Sequence, residues 1–115
     1  MAIAKTSAKF RKSGGTLDYT PSAAVAAGSI VVVGSLVCLA QWPIAQGEAG
    51  TLKTLHGGEV IEVTTDEAIG QTAAGTPIYV TSEGLVSKTE SGNTLVGFAA
   101  AAIGASDKTF EIVCS

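Results

Sequence analysis

The sequence predicts an all-β domain: a small β-barrel or β-sandwich with two pseudo-repeated halves, at most short helical turns, and an extended N-terminal arm. Three observations carry this. Turn signals recur roughly every 8–12 residues, the spacing of short antiparallel strands. No long segment places its apolar residues at the 3.6-residue helical period. Two blocks also recur in order. Ala26-Ala27-Gly28-Ser29-Ile30-Val31-Val32-Val33 aligns with Ala73-Ala74-Gly75-Thr76-Pro77-Ile78-Tyr79-Val80, and Leu36-Val37-Cys38-Leu39-Ala40 aligns with Leu95-Val96-Gly97-Phe98-Ala99. The second match runs on through Ile44 with Ile103 and Glu48 with Asp107, and the offset grows from 47 to 59 because the later half has a longer hairpin near Glu83–Asn93.

The elements follow in order. Residues 1–12 form a basic arm, and residues 13–115 a single β-rich domain. Ser13-Gly14-Gly15 is a hinge signal. Thr16–Thr20 is a short strand stopped by Pro21, and Ser22–Ala27 is an Ala-rich loop or helical turn ending at Gly28. Ile30–Val33 and Leu36–Ala40 are strands around Gly34-Ser35, and Trp42–Gly50 is a loop. Thr51–Leu55 is a strand, His56-Gly57-Gly58 a turn, and Glu59–Thr65 a strand rich in β-branched residues. Asp66-Glu67-Ala68-Ile69 is expected to make one helical turn with acids near its start. Pro77–Thr81 and Leu85–Lys88 form a hairpin around Ser82-Glu83-Gly84. Leu95–Ala102 is the next strand. Lys108–Cys114 closes the chain, with Phe110, Ile112 and Cys114 alternating against Thr109, Glu111 and Val113, so one face is buried.

Composition narrows the function classes. With 115 residues the chain is one domain, and 46% hydrophobic against 15% charged residues excludes intrinsic disorder. Aromatics are 5%, which suits a small barrel with little interior to fill. Two cysteines are too few for a disulfide scaffold. The net charge of −3 divides unevenly: Lys5, Lys9, Arg11 and Lys12 give residues 1–12 a charge of +4, and the remainder carries −7. An acidic body is not a general nucleic-acid binder, which shows a broad basic face. A basic arm on an acidic body suits docking on another acidic surface, against the plainer reading of a solvated terminus.

Chemistry is sparse. His56 is the sole histidine and stands at a Gly-Gly turn; no Gly-x-Ser-x-Gly elbow accompanies it. Cys38, Cys114 and His56 lack the spacing of metal ligands, so no metal is expected. Glu59 and Glu62 fall on opposite faces of a strand and do not pair for acid/base work. Neither phosphate-binding glycine motif is present, so no nucleotide cofactor is expected. The chain reads as a non-enzyme without cofactor or small-molecule substrate. The cysteines read as small free residues, with a disulfide between them the lesser alternative.

Two rival readings arise. Ser22–Ala40 is uncharged and long enough to span a bilayer, but Pro21 and Pro43 bracket it, and Gly-Ser pairs and the β-branched run Ile30–Val33 interrupt it. The arm offers a DNA-binding role in recombination; Phe10 is the only aromatic among its bases. No apolar run follows the N-terminal bases, so the chain reads as made in the cytoplasm, without a signal peptide.

The segment Leu17–Gly28 with Ile30–Gly34, the segment Ile44–Gly50, and, in the second half, Ala74–Val80 and Gly92–Gly97 together resemble the DUF2190 family of phage proteins. The resemblance covers residues 13 to 114 and rests on strands and glycine-led turns rather than catalytic residues. It implies a capsid decoration, or cement, protein: a small β-rich domain on the outside of the expanded head. Such proteins commonly form trimers, bind the major capsid protein and strengthen the shell against internal DNA pressure. The place in the virion and adjacent decoration subunits follow from the same resemblance; no direct nucleic-acid or membrane partner is expected, on the composition and patterning given above. Some members carry a recombinase-like label, which the missing phosphate loop contradicts here. Lys5, Lys9, Phe10, Arg11 and Lys12 lie outside the recognised pattern and are the candidate contacts to capsid or neighbouring subunit, an apolar anchor steered by charge.

Overall fold

The computed structural model describes residues 15–115, and within them every regular element is a strand. They are β1 (Thr16–Tyr19), β2 (Ile30–Val33), β3 (Leu36–Leu39), β4 (Gly50–Thr54), β5 (Val60–Thr64), β6 (Pro77–Val80), β7 (Val86–Ser87), β8 (Thr94–Ala99) and β9 (Thr109–Cys114). They form two antiparallel sheets, β1-β4-β3-β2 and β5-β9-β8-β6-β7, called here the first and second sheets. Residues 33 and 36 close a two-residue hairpin in which Gly34 has a φ of 62°, a conformation glycine adopts without a Cβ penalty.

The two sheets are the two halves of the sequence repeat. Omitting β7, each runs first strand, fourth, third, second. The correspondence extends to single hydrogen bonds. The bridge between Val25 and Ile44 recurs as the bridge between Thr72 and Ile103. Gly28 N–H donates to Ala40 C=O and Ala40 N–H to Ser29 C=O; Gly75 and Ala99 repeat this with Ala99 C=O and Thr76 C=O. Glu48 N–H reaches Ala45 C=O, and Asp107 N–H reaches Gly104 C=O. The strand pairs add an equivalence the sequence alignment did not reach. Leu17 opposite Leu52 corresponds to Ile61 opposite Ile112, and Tyr19 opposite Gly50 to Val63 opposite Phe110.

The sheets stack as a sandwich, and neither closes into a barrel. At β2 and β3 the first sheet packs through both faces. Val31 and Val33 pack on a small core of Cys38, Ala40, Ile44 and Leu52 within their own half. Ile30, Val32 and Val37, on the opposite face, pack on the larger core of the second half, which includes Ile78, Val80, Phe110 and Ile112. Alternation in β2 therefore serves two cores at once, which is why its four residues are all apolar.

Several expectations change. The helical turn at Asp66–Ile69 is absent: Thr65 Oγ1 donates to Glu67 C=O at 2.6 Å, and Gly70 at φ 92° turns the chain instead. Such side-chain bonds to nearby backbone compete with helix formation. Ser22–Ala27 takes the loop alternative, held by the Val25 bridge. β8 stops at Ala99 rather than Ala102 because the chain leaves to place Ile103 opposite Thr72. Ser22–Ala40 is a loop followed by the β2–β3 hairpin, and no helix among the described residues is long and apolar enough to cross a membrane.

Candidate functional site

The chain between the halves, Leu55 to Glu59, is tied down by one carboxylate. Glu59 Oε1 accepts His56 N–H at 2.7 Å, and Glu59 Oε2 meets Lys53 Nζ at 2.8 Å. The Lys53 hydrogen bond, followed by that from His56, holds the Glu59 carboxyl below the usual glutamate range. His56 is exposed, and its Nε2 lies 3.2 Å from Thr54 Oγ1. The Thr54 hydroxyl is its one side-chain partner among the described residues, and its carboxylate contact, with Glu59, is through its backbone. Among the described residues no group of His, Cys, Asp and Glu could hold a metal ion, and no buried side-chain polar atom lacks a hydrogen-bond partner. Cys38 and Cys114 are buried and unbridged, and burial pushes both thiols up. Among the described residues the Thr54–His56 pair has no carboxylate on the imidazole ring to orient it, the third member a nucleophile–base array uses.

What the fold does arrange is surface. The first feature is an apolar row across the outer face of the second sheet. Register places Val60 beside Val113, Val113 beside Phe98, and Phe98 beside Pro77, so the four side chains cross four strands on one face. Val60 is 55% exposed and Phe98 37%. The corresponding row in the first half, Thr16-Lys53-Leu39-Ile30, has two polar members; Thr16 is exposed, and the other three are half-buried and look across a groove toward the second half. Trp42, on the loop after β3, is 73% exposed, an amphipathic ring of the kind enriched at protein contacts.

The second feature is a groove of about 880 Å³ between the first sheet and β5. Ile30, Leu39, Leu55 and Leu85 give it apolar walls, and Gly84 at its far end sits so close to the Ile30 carbonyl that a Cβ could not fit. Glu59, Glu62, Asp66, Glu67 and Glu83 line it against a single cation, Lys53, which is already paired.

The candidate contacts Lys5, Lys9, Phe10, Arg11 and Lys12 lie outside the described residues. The chain matches the phage cement proteins over residues 11–114, a span that takes in Arg11 and Lys12 and nearly all of the β body. It belongs to that family. No curated protein and no solved structure matches it. A phage cement protein is a structural, capsid-associated component, which agrees with a rigid β body whose distinguishing features are surfaces.

Sequence reasoning passed over the apolar row and the groove. The row left one signal: Val113 stands among Thr109 and Glu111 on the polar face of β9, where an apolar residue breaks the alternation. The groove left none, since its walls come from segments as far apart as Ile30 and Leu85.

Proposed function

We propose that this cement protein binds the outer surface of the expanded shell of major capsid protein, as a homotrimer, and strengthens the shell against the pressure of packaged DNA. The observation that carries the reading is the Val60-Val113-Phe98-Pro77 row, an apolar strip left open on a sheet whose other face is fully packed. In a monomer that strip stays in water; against a capsid surface it is buried. Each copy contributes modest area, and strength comes from the number of copies engaged. Backing the strip with a rigid antiparallel sheet keeps the ordering cost of docking low.

The test is co-sedimentation with purified shells. The protein should saturate expanded shells and leave unexpanded precursor shells bare, and Phe98→Glu should reduce occupancy at least tenfold without altering the folded spectrum. Equal binding to both shells, or none to either, overturns the reading. Full occupancy by Phe98→Glu moves the contact off this face.

A further inference from the structure

The groove has the features of a receptor for an extended strand. β5 is the edge of the second sheet. Its bonds to β9 are framed by Cys114 N–H on Glu59 C=O and Lys108 C=O on Thr65 N–H. Odd-numbered residues therefore face β9, and the backbone groups of Val60, Glu62 and Thr64 face the other way. Among the described residues they have no strand partner. Native edges are commonly blunted by lysine, proline or a bulge, and β5, Val-Ile-Glu-Val-Thr, has none of these. Glu62 also stands directly opposite Glu111, a like-charge pair that weakens the sheet until a cation is brought beside it.

Residues 1–14 are the complement. They carry four cations and no acid, and residues 1–12 contain neither Gly nor Pro. In an extended chain Ala2, Ala4, Thr6, Ala8 and Phe10 fall on one side, which Lys12 ends, and three of the four cations, Lys5, Lys9 and Arg11, fall on the other with Ile3 and Ser7. That is the pattern of a strand with one face on an apolar wall and the other toward carboxylates. Fourteen extended residues span about 46 Å and five about 17 Å, so the segment can leave its own body and still cover β5.

We propose that residues 1–14 of one copy lie in the groove of a neighbouring copy, added to the free edge of β5 as a further strand. The proposal rests on the reading that copies adjoin on the shell, and it names what joins them. Segment into groove is a head-to-tail contact, and three such contacts close a ring when the rotation between copies is a third of a turn.

Charge exchange between two full-length variants tests it. One carries Lys5→Glu, Lys9→Glu and Arg11→Glu. The other carries Glu62→Lys and Glu67→Lys, both at exposed positions outside the Lys53–Glu59 pair. Sedimentation should show the unaltered protein self-associating and each variant alone at least tenfold weaker. An equimolar mixture should regain association as alternating pairs and open chains, because the reversed segment of one finds the reversed groove of the other, while a mixed ring of three keeps one like-charged contact. A monomeric unaltered protein, unweakened variants, or a mixture that stays dissociated overturns the proposal; the last result also covers a segment folding into its own groove. Shell occupancy is measured separately on the same proteins. Shell binding without association sinks the segment exchange alone, and association without shell binding sinks the capsid reading.

Discussion

The two halves follow one path with different interiors. The first has a core of four buried residues, Cys38, Ala40, Ile44 and Leu52. The second has eight, among them Ile78, Val80, Phe110 and Ile112, and it also receives Ile30, Val32 and Val37 from its partner. A repeated backbone therefore does not require a repeated core. What is kept is the register of facing positions, not the residues that fill them. Where the first half sets Tyr19 opposite Gly50, the second sets Val63 opposite Phe110, with the bulk moved to the other strand. Where the first sets Cys38 opposite Thr54, the second sets Gly97 opposite Cys114. The first half is the thinner one and depends on the second to cover its other face.

Truncation at equivalent positions should produce the largest effect. Ile112→Ala empties the centre of the larger core and should cost about 3–5 kcal/mol, whereas Leu52→Ala, beside loops that can settle inward, should cost about 2–3 kcal/mol. Denaturant unfolding measures both, and equal losses would show that the two interiors are equally unyielding. A single transition in both variants would show that the halves unfold together despite the difference.

The Cys38/Gly97 equivalence gives the next effect. A Cβ at Gly97 would run into the backbone of Val113 and Cys114, so Gly97→Ala should cost about 3 kcal/mol. Cys38→Ala removes one buried sulfur and should cost about 1 kcal/mol. A milder collision awaits Gly50→Ala, whose Cβ would meet the Ile44 side chain at 2.7 Å; a side chain can rotate away, and about 1 kcal/mol is expected. Thermal melts rank the three, and a Gly50→Ala loss as large as that of Gly97→Ala would mean that Ile44 is locked.

The smallest effect belongs to the tie between the halves. Glu59 has its folded pKa lowered by Lys53 and by His56 N–H, so its contribution is present above the ordinary glutamate range and is lost as pH falls through the folded value. The melting temperature of the parent protein should exceed that of Glu59→Gln slightly at neutral pH, and the gap should close in acid. A gap that widened in acid would reverse the assigned sign.

Much of this architecture was legible in the sequence, because short strands between glycine turns declare themselves locally. Ile30–Val33 is found where the β-branched run lies, and Phe110, Ile112 and Cys114 are buried as their alternation requires. The repeat was legible for the same reason: Gly28 and Gly75, at φ 87° and 83°, mark the same turn in each half. Asp66–Ile69 misled because acids near an apolar pair suit a helix start as well as a loop, and the deciding bond from Thr65 is a detail of side-chain geometry. The groove was not legible, because its shape arises from how the two sheets stack rather than from either sheet.

The linker has one more consequence. A Cβ on Gly15, at the start of the β body, would strike the His56 ring, and one on Gly57 would lie 3.4 Å from the carbonyl carbon of Ser115. The two ends of the β body thus meet beside the segment that joins its halves. Cutting the chain at Gly57-Gly58 and joining Ser115 to Gly15 through a short bridge would exchange the order of the halves and leave all nine strands and their registers in place. The fold behaves as a closed loop of two arcs, one of four strands and one of five, whose opening point is a matter of choice. A passenger domain attached at this corner would therefore stand beside Val60 and Val113, at one end of the apolar row of the second sheet.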